Sequence, residues 1–275
     1  MLFRLFYNVY NKCFPSDHLI IKNSVNNEEN NNFYNDISYI QSISKHANIN
    51  EYNENKTFHL YENQIQSNQI REHIINLKYG YIMKNIRDKH NEFYNSKYNI
   101  EPIDGMNELY ISIIGGGGSD DVFETSHIDG PFFLLPFCKI YRCIVGITTN
   151  NTINTIFIHN KVEEYHILNK YEFLAFDYNR DIHYIKHIDN NNNNNINNSV
   201  SPKNTEKRVV LKFHYIMYSK YVPYFYIYLC KNFHVNYNSF MRFLFLSSQN
   251  NKNKWLSRII NNGTIIFCKF MKYYN

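Results

Sequence analysis

From residue 108 to residue 218 the chain carries short runs of β-branched and aromatic residues, separated by turn residues and never by a helical period. The runs are 109–114, 122–129, 140–149, 152–158, 171–176, 182–188 and 208–218. Strands that follow one another without crossover helices bury their apolar faces by closing on themselves, as a sandwich, jelly roll or barrel. A mainly β domain over 108–218 is therefore expected, and the remaining segments must be accommodated around it.

Those segments differ in character. Residues 1–60 are polar and Asn-rich, with one weak helical pattern at Phe33, Ile37 and Ile40. Over 61–107 the recurrence of Ile70, Ile74 and Leu77, then Ile82 and Ile86, predicts helical support, punctuated by Pro102 and Gly105. The Asn-rich stretch 189–204 falls between two strands, where a polar insertion costs little. Residues 219–275 read as a helical, basic and aromatic extension. Five cysteines are scattered without metal-ligand spacing, which speaks against a disulfide framework or a zinc site. Arg4, Asn8 and Asn11 break the apolar start, so a signal peptide or membrane span is not expected there. An intracellular setting follows, cytoplasmic or peripheral on a membrane.

The stretch "GGGGSDDVFETSHIDGPF" carries the chemistry. In an extended strand Phe123, Thr125, His127 and Asp129 share one face, because side chains alternate. An imidazole and a carboxylate two apart can grip one cation. A His from a distant strand would complete a two-His-one-carboxylate facial triad, whose open positions suit Fe(II). His183, directly after a turn in "YEFLAFDYNRDIHYIKH", is the favoured third ligand; His187 has the same parity. The Gly run itself lacks the Lys-Ser/Thr of a phosphate loop and precedes a strand, so a flexible lid or turn is a better account of it than nucleotide binding. Arg208 opens "RVVLKFHYIMY", 25 residues after His183. A bidentate guanidinium there would suit a carboxylate.

With His127, Asp129, His183 and Arg208 in this order, the sequence resembles the 2-oxoglutarate/Fe(II)-dependent oxygenase superfamily over roughly residues 108–218. The pattern of that superfamily is His-x-Asp, a distant His, and an Arg or Lys about ten residues on. Without the insert, Arg208 stands at about that spacing. The resemblance implies a double-stranded β-helix (jelly roll) with Fe(2+) at its mouth and 2-oxoglutarate as co-substrate. The implied reaction converts 2-oxoglutarate to succinate while a substrate is oxidised, most simply by hydroxylation. Where many members carry Ser or Thr two residues after the Arg, this chain has Val210; Lys212 and His214 continue that face, so Lys212 is a second candidate for the co-substrate. Tyr141, in "IYRCIVGITT", is carried as a further candidate contact, although sharing a face with Cys143 and Val145 favours a core role. Arg142 would then be surface or supporting. The alternative from another class is a non-catalytic cupin-like module that binds a metal or ligand.

The net charge of +5 is unevenly placed: residues 200–275 hold 12 Lys/Arg and one acid, Glu206. Such a split suggests an acidic partner for the tail. The tail's Tyr and Phe, interleaved with cations, point to an anionic membrane surface and make a lipid or other small-molecule substrate conceivable. Nucleic acid is not favoured, because no RNA-binding motif is present and the central domain is not basic.

Overall fold

The computed structural model describes residues 19–24, 31–46, 57–113, 126–131, 137–150, 153–187 and 207–249. The Gly run, the Asn-rich insert, Phe123, Thr125 and the chain from 250 onward lie outside the described residues. The elements are β1 (Ile21–Ser24), α1 (Asn31–His46), β2 (Thr57–Tyr61), α2 (Asn68–Tyr79), α3 (Tyr81–Phe93), β3 (Tyr98–Pro102) and β4 (Glu108–Ile113). They continue with β5 (Cys138–Gly146), β6 (Ile153–His159), β7 (Val162–Ile167), β8 (Glu172–Asp177), β9 (Ile182–His187), β10 (Lys207–Ser219) and α4 (Tyr224–Gln249).

The strands form two antiparallel sheets. The major sheet runs β1-β8-β5-β10-β4-β2, with β3 pairing the far half of β10; the minor sheet runs β7-β6-β9. From β5 onward the chain passes back and forth between the sheets, from β5 to the β6–β7 hairpin, back to β8, across to β9 and back to β10, the winding of a double-stranded β-helix, or jelly roll. The 13-residue β10 is its spine, pairing β5 along one edge and β4, then β3, along the other.

Alternation along β10 separates two interiors. Val209, Leu211, Phe213, Tyr215 and Met217 join Tyr141, Cys143 and Val145 of β5 and Phe173 and Ala175 of β8 in one apolar cluster. The helices cover it: Phe33, Ile37 and Ile40 of α1, Ile74 and Leu77 of α2, and Ile82 and Ile86 of α3 all bury there. Their three-and-four spacing puts one stripe of each helix on the sheet. Ser67 caps α2 by accepting from the Ile70 N–H at 3.4 Å, and the chain breaks at Gly80 before α3 begins. The other face of β10 looks between the sheets, where Tyr110, Phe157, Leu174, Phe176 and Val210 pack together.

Three strands stand where the sequence pattern signalled none. β1, β2 and β3 are short additions at the margins of the major sheet. β7 is a fourth: "VEEYHI" is largely exposed and lacks alternation, and it is joined to β6 by a two-residue hairpin in which Asn160 and Lys161 have φ of 49° and 67°. Positive φ at both central residues is the hairpin geometry whose twist matches the strands.

Candidate metal centre

His127 and His183 face each other across the minor sheet. Each donates its N–H to the other's carbonyl at 2.9 Å, a single antiparallel bridge. Such a pairing sets the two side chains next to each other on one face, and the imidazole centroids lie 4.6 Å apart. Asp129 follows two residues after His127 and returns to the same face. Ligand atoms of His127, Asp129 and His183 all lie within 4.8 Å of one another. The backbone of His187 is four residues further along β9, opposite Ile153, about 13 Å away along the strand.

The ring of His183 is oriented from behind. Its Nδ1 lies 3.0 Å from the Asp181 carbonyl, which fixes the tautomer with Nδ1–H donating and leaves the Nε2 lone pair facing the site. Phe176 and Phe157 enclose the ring, with centroids 4.7 and 5.6 Å away. His183 Nε2 is 3.2 Å from Asp129 Oδ2, and His127 Nε2 is 3.7 Å from Asp129 Oδ1.

Gly130 makes the turn after Asp129 fit. Its N–H donates to the Tyr178 carbonyl at 2.8 Å, and a Cβ there would stand 2.2 Å from Asn179 Oδ1 and 2.5 Å from the Tyr178 ring. Only glycine permits that approach.

Arg142 of β5 reaches the site because its parity is opposite to that of Tyr141. Its Nη1 forms an ion pair with Asp129 Oδ2, and its Nε donates to His214 Nε2 at 2.9 Å. The guanidinium lies over the Tyr178 ring at 4.7 Å. Burial by itself would raise the Asp129 carboxyl, but the Arg142 charge and the two imidazoles more than offset it and hold the group well below the usual carboxylate range. Asp129 is therefore ionised, as a metal ligand must be. Burial, with the Arg142 charge beside it, pushes His214 well below the ordinary histidine value, so His214 is the neutral acceptor.

Arg208 and Lys212 lie on the same face of β10. Arg208 is buried, its Nε has no hydrogen-bond partner among the described residues, and burial lowers its pKa, with Tyr110 partly opposing. A buried guanidinium N–H without an acceptor is what an incoming carboxylate would satisfy. Lys212 is engaged instead: its Nζ is 2.6 Å from Glu108 Oε1 and 4.3 Å from the Tyr110 ring centroid.

Tyr141 needs correction as a co-substrate contact. It is fully buried in the helix-covered cluster, with its hydroxyl 3.0 Å from His90 Nδ1 of α3. A strand residue adjacent to Arg142 must point the other way. Arg142 is the residue that the sequence reading left unplaced, and only the parity of β5 reveals it.

The chemistry of this donor set fits a divalent metal: two imidazole nitrogens and one ionised carboxylate converge, and among the described residues no further His, Cys, Asp or Glu joins the group. No protein-family model matches the sequence, and no curated protein matches it. Among solved structures, the chain is similar to HygX from Streptomyces hygroscopicus with nickel and 2-oxoglutarate bound (7% identity, TM-score 0.41, covering 80% of this chain and 87% of that one). It is also similar to a prolyl-4-hydroxylase from Pseudomonas putida (9%, TM-score 0.39, 74% and 95%). A third is a prolyl hydroxylase from Trichoplax adhaerens in complex with a hypoxia inducible factor peptide fragment (11%, TM-score 0.35, 78% and 89%). At these values the metal centre stands on its own geometry.

Proposed function

We propose that the chain is an Fe(II)- and 2-oxoglutarate-dependent oxygenase that oxidises, most simply by hydroxylation, a small-molecule or lipid substrate. The convergence of His127, Asp129 and His183 on one point within a jelly roll carries the reading. Those three residues would hold the iron. Bound there, iron supplies the redox chemistry that couples decarboxylation of 2-oxoglutarate to succinate with oxidation of the substrate.

The rest follows from the chain's own groups. Arg142 occupies Asp129 Oδ2 and keeps the carboxylate ionised and fixed in direction. Asp181 holds His183 in the tautomer that offers Nε2. Phe157 and Phe176 keep water from the back of that ring. Arg208, a buried cation whose Nε has no partner among the described residues, would receive the distal carboxylate of 2-oxoglutarate, with Lys212 adding positive potential nearby.

Titration of the full chain with Fe(II) and 2-oxoglutarate under anaerobic conditions tests this. The expected result is a weak visible metal-to-ligand charge-transfer band that requires both additions, followed on exposure to oxygen by succinate. The engagement of Lys212 by Glu108 favours, as a second reading, a cupin-like module that binds metal without turnover. Metal uptake with neither band nor succinate would select that reading and sink the oxygenase.

A further inference from the structure

Helix α4 has two unlike sides. Ile227, Cys230 and His234 are buried against the barrel, and His234 Nε2 lies 3.0 Å from Asn179 Nδ2. The opposite side exposes Tyr224, Phe225, Tyr228, Phe233, Phe240 and Phe243. Phe225 and Phe243, near the two ends of the row, are 70% and 65% exposed. A span of this many helical residues is about 28 Å long. Single exposed apolar side chains are ordinary, but six exposed aromatics spread along one helix mark an interaction surface.

Charge narrows the partner. Residues 219–275 contain eight Lys/Arg and no Asp or Glu. Within the described part, Lys231 pairs with Glu101 and Arg242 stacks over Tyr61, so both turn inward. Lys220 is exposed at the head of the helix, and Lys252, Lys254, Arg258, Lys269 and Lys272 follow in the sequence. Pairing this face with a second copy would bring together two segments that carry no acid of their own. Among the described residues no helix is long and apolar enough to cross a membrane.

We propose that the aromatic face of α4 rests on an anionic phospholipid surface. Tyr and Phe rings suit the headgroup boundary, where one edge is apolar and the other wet. Lys220, exposed at the head of the helix, is a cation of the kind drawn to a negative surface potential, and the sequence that follows the helix adds five more and no acid. The helix would lie along the surface with its buried stripe still on the barrel.

The test is co-sedimentation of the full chain with vesicles of phosphatidylcholine alone, or with about one-third phosphatidylserine. The wild type is expected to pellet with the anionic vesicles only, and less as salt is raised. A Phe225→Ser/Phe233→Ser/Phe240→Ser variant, whose altered side chains are all exposed, should bind at least about tenfold more weakly with an unchanged melting temperature. Equal pelleting of variant and wild type, or indifference to phosphatidylserine, overturns the proposal. So does a wild-type dimer in sedimentation velocity that the variant abolishes while vesicles bind neither protein, since the face would then be a contact between copies.

Discussion

On one face of β10, Val209, Leu211, Phe213, Tyr215 and Met217 are buried among the side chains of three helices and two neighbouring strands. On the other, Arg208, Lys212 and His214 alternate with Val210 and Ile216. The two faces belong to one strand and are equally shielded from water, yet only the first lowers its free energy by burial alone. The second buries Lys212, whose desolvation Glu108 offsets, it offers His214 as acceptor to Arg142 of β5, and it leaves the Arg208 Nε without a hydrogen-bond partner among the described residues. A strand that needed only stability would carry apolar residues on both sides. The charged face is thus the one that stability alone does not account for.

Removing a metal ligand should produce the largest effect. His127→Ala and Asp129→Asn are each expected to abolish Fe(II) binding with the fold intact, measured as iron retained after anaerobic reconstitution and desalting. Wild-type stoichiometry in both would mean the polar face is not a metal site. Next come two losses of equal size and opposite reversibility. Phe213→Ala on the apolar face should cost about 3–5 kcal/mol in urea denaturation, from lost burial and a cavity. Glu108→Leu on the charged face should also cost about 3–5 kcal/mol, because Lys212 is left buried without its acid. Adding Lys212→Met to Glu108→Leu should restore most of that loss. Failure of the double variant to recover would show that the ion pair is worth more than its desolvation.

Arg208→Gln should weaken 2-oxoglutarate by on the order of 1.5–3 kcal/mol, the scale of a charge-assisted hydrogen bond, with iron retained. If affinity is instead lost only in Lys212→Gln, the anchor lies four residues along. The smallest effect belongs to the apolar side. His90, against Tyr141, is pushed by burial and by the Lys139 charge down to about 3. The unfolded chain takes up a proton near pH 6.5 that the folded chain refuses until about pH 3, so stability is full above 6.5 and declines as pH falls between those values. Between pH 6.5 and 5.5 the decline should be about 1 kcal/mol. His90→Gln should remove that share of the slope; an unchanged slope would place the sensitivity elsewhere.

Much of this arrangement can be read before any coordinates. The β-branched runs of β4, β5, β6, β8, β9 and β10 are dense enough to announce strands, and His183 follows the turn that sets its ring. What escapes has specific causes. β7 is an exposed edge with "VEEYHI" in place of an alternating pattern, and its turn is Asn-Lys without the glycine that usually flags a hairpin. β1, β2 and β3 depend on pairing to distant strands, which no local window contains. Arg142 and Tyr141 are neighbours whose roles exchange with a one-residue change of parity, and nothing within the strand fixes that parity. The aromatics of α4 are too many to say which of them face the barrel; only Ile227, Cys230 and His234 reveal it.

The bridge between His127 and His183 joins positions 56 residues apart in sequence through only two backbone hydrogen bonds. An ion held by both side chains would act there as a topological cross-link. By the relation used for disulfides, closing a loop of that length removes chain entropy from the unfolded state worth about 4 kcal/mol, provided the ion does not also bind that state. The ion would then be a rivet in the architecture as well as a reagent, and stripping it with a chelator would soften the minor sheet together with silencing the chemistry.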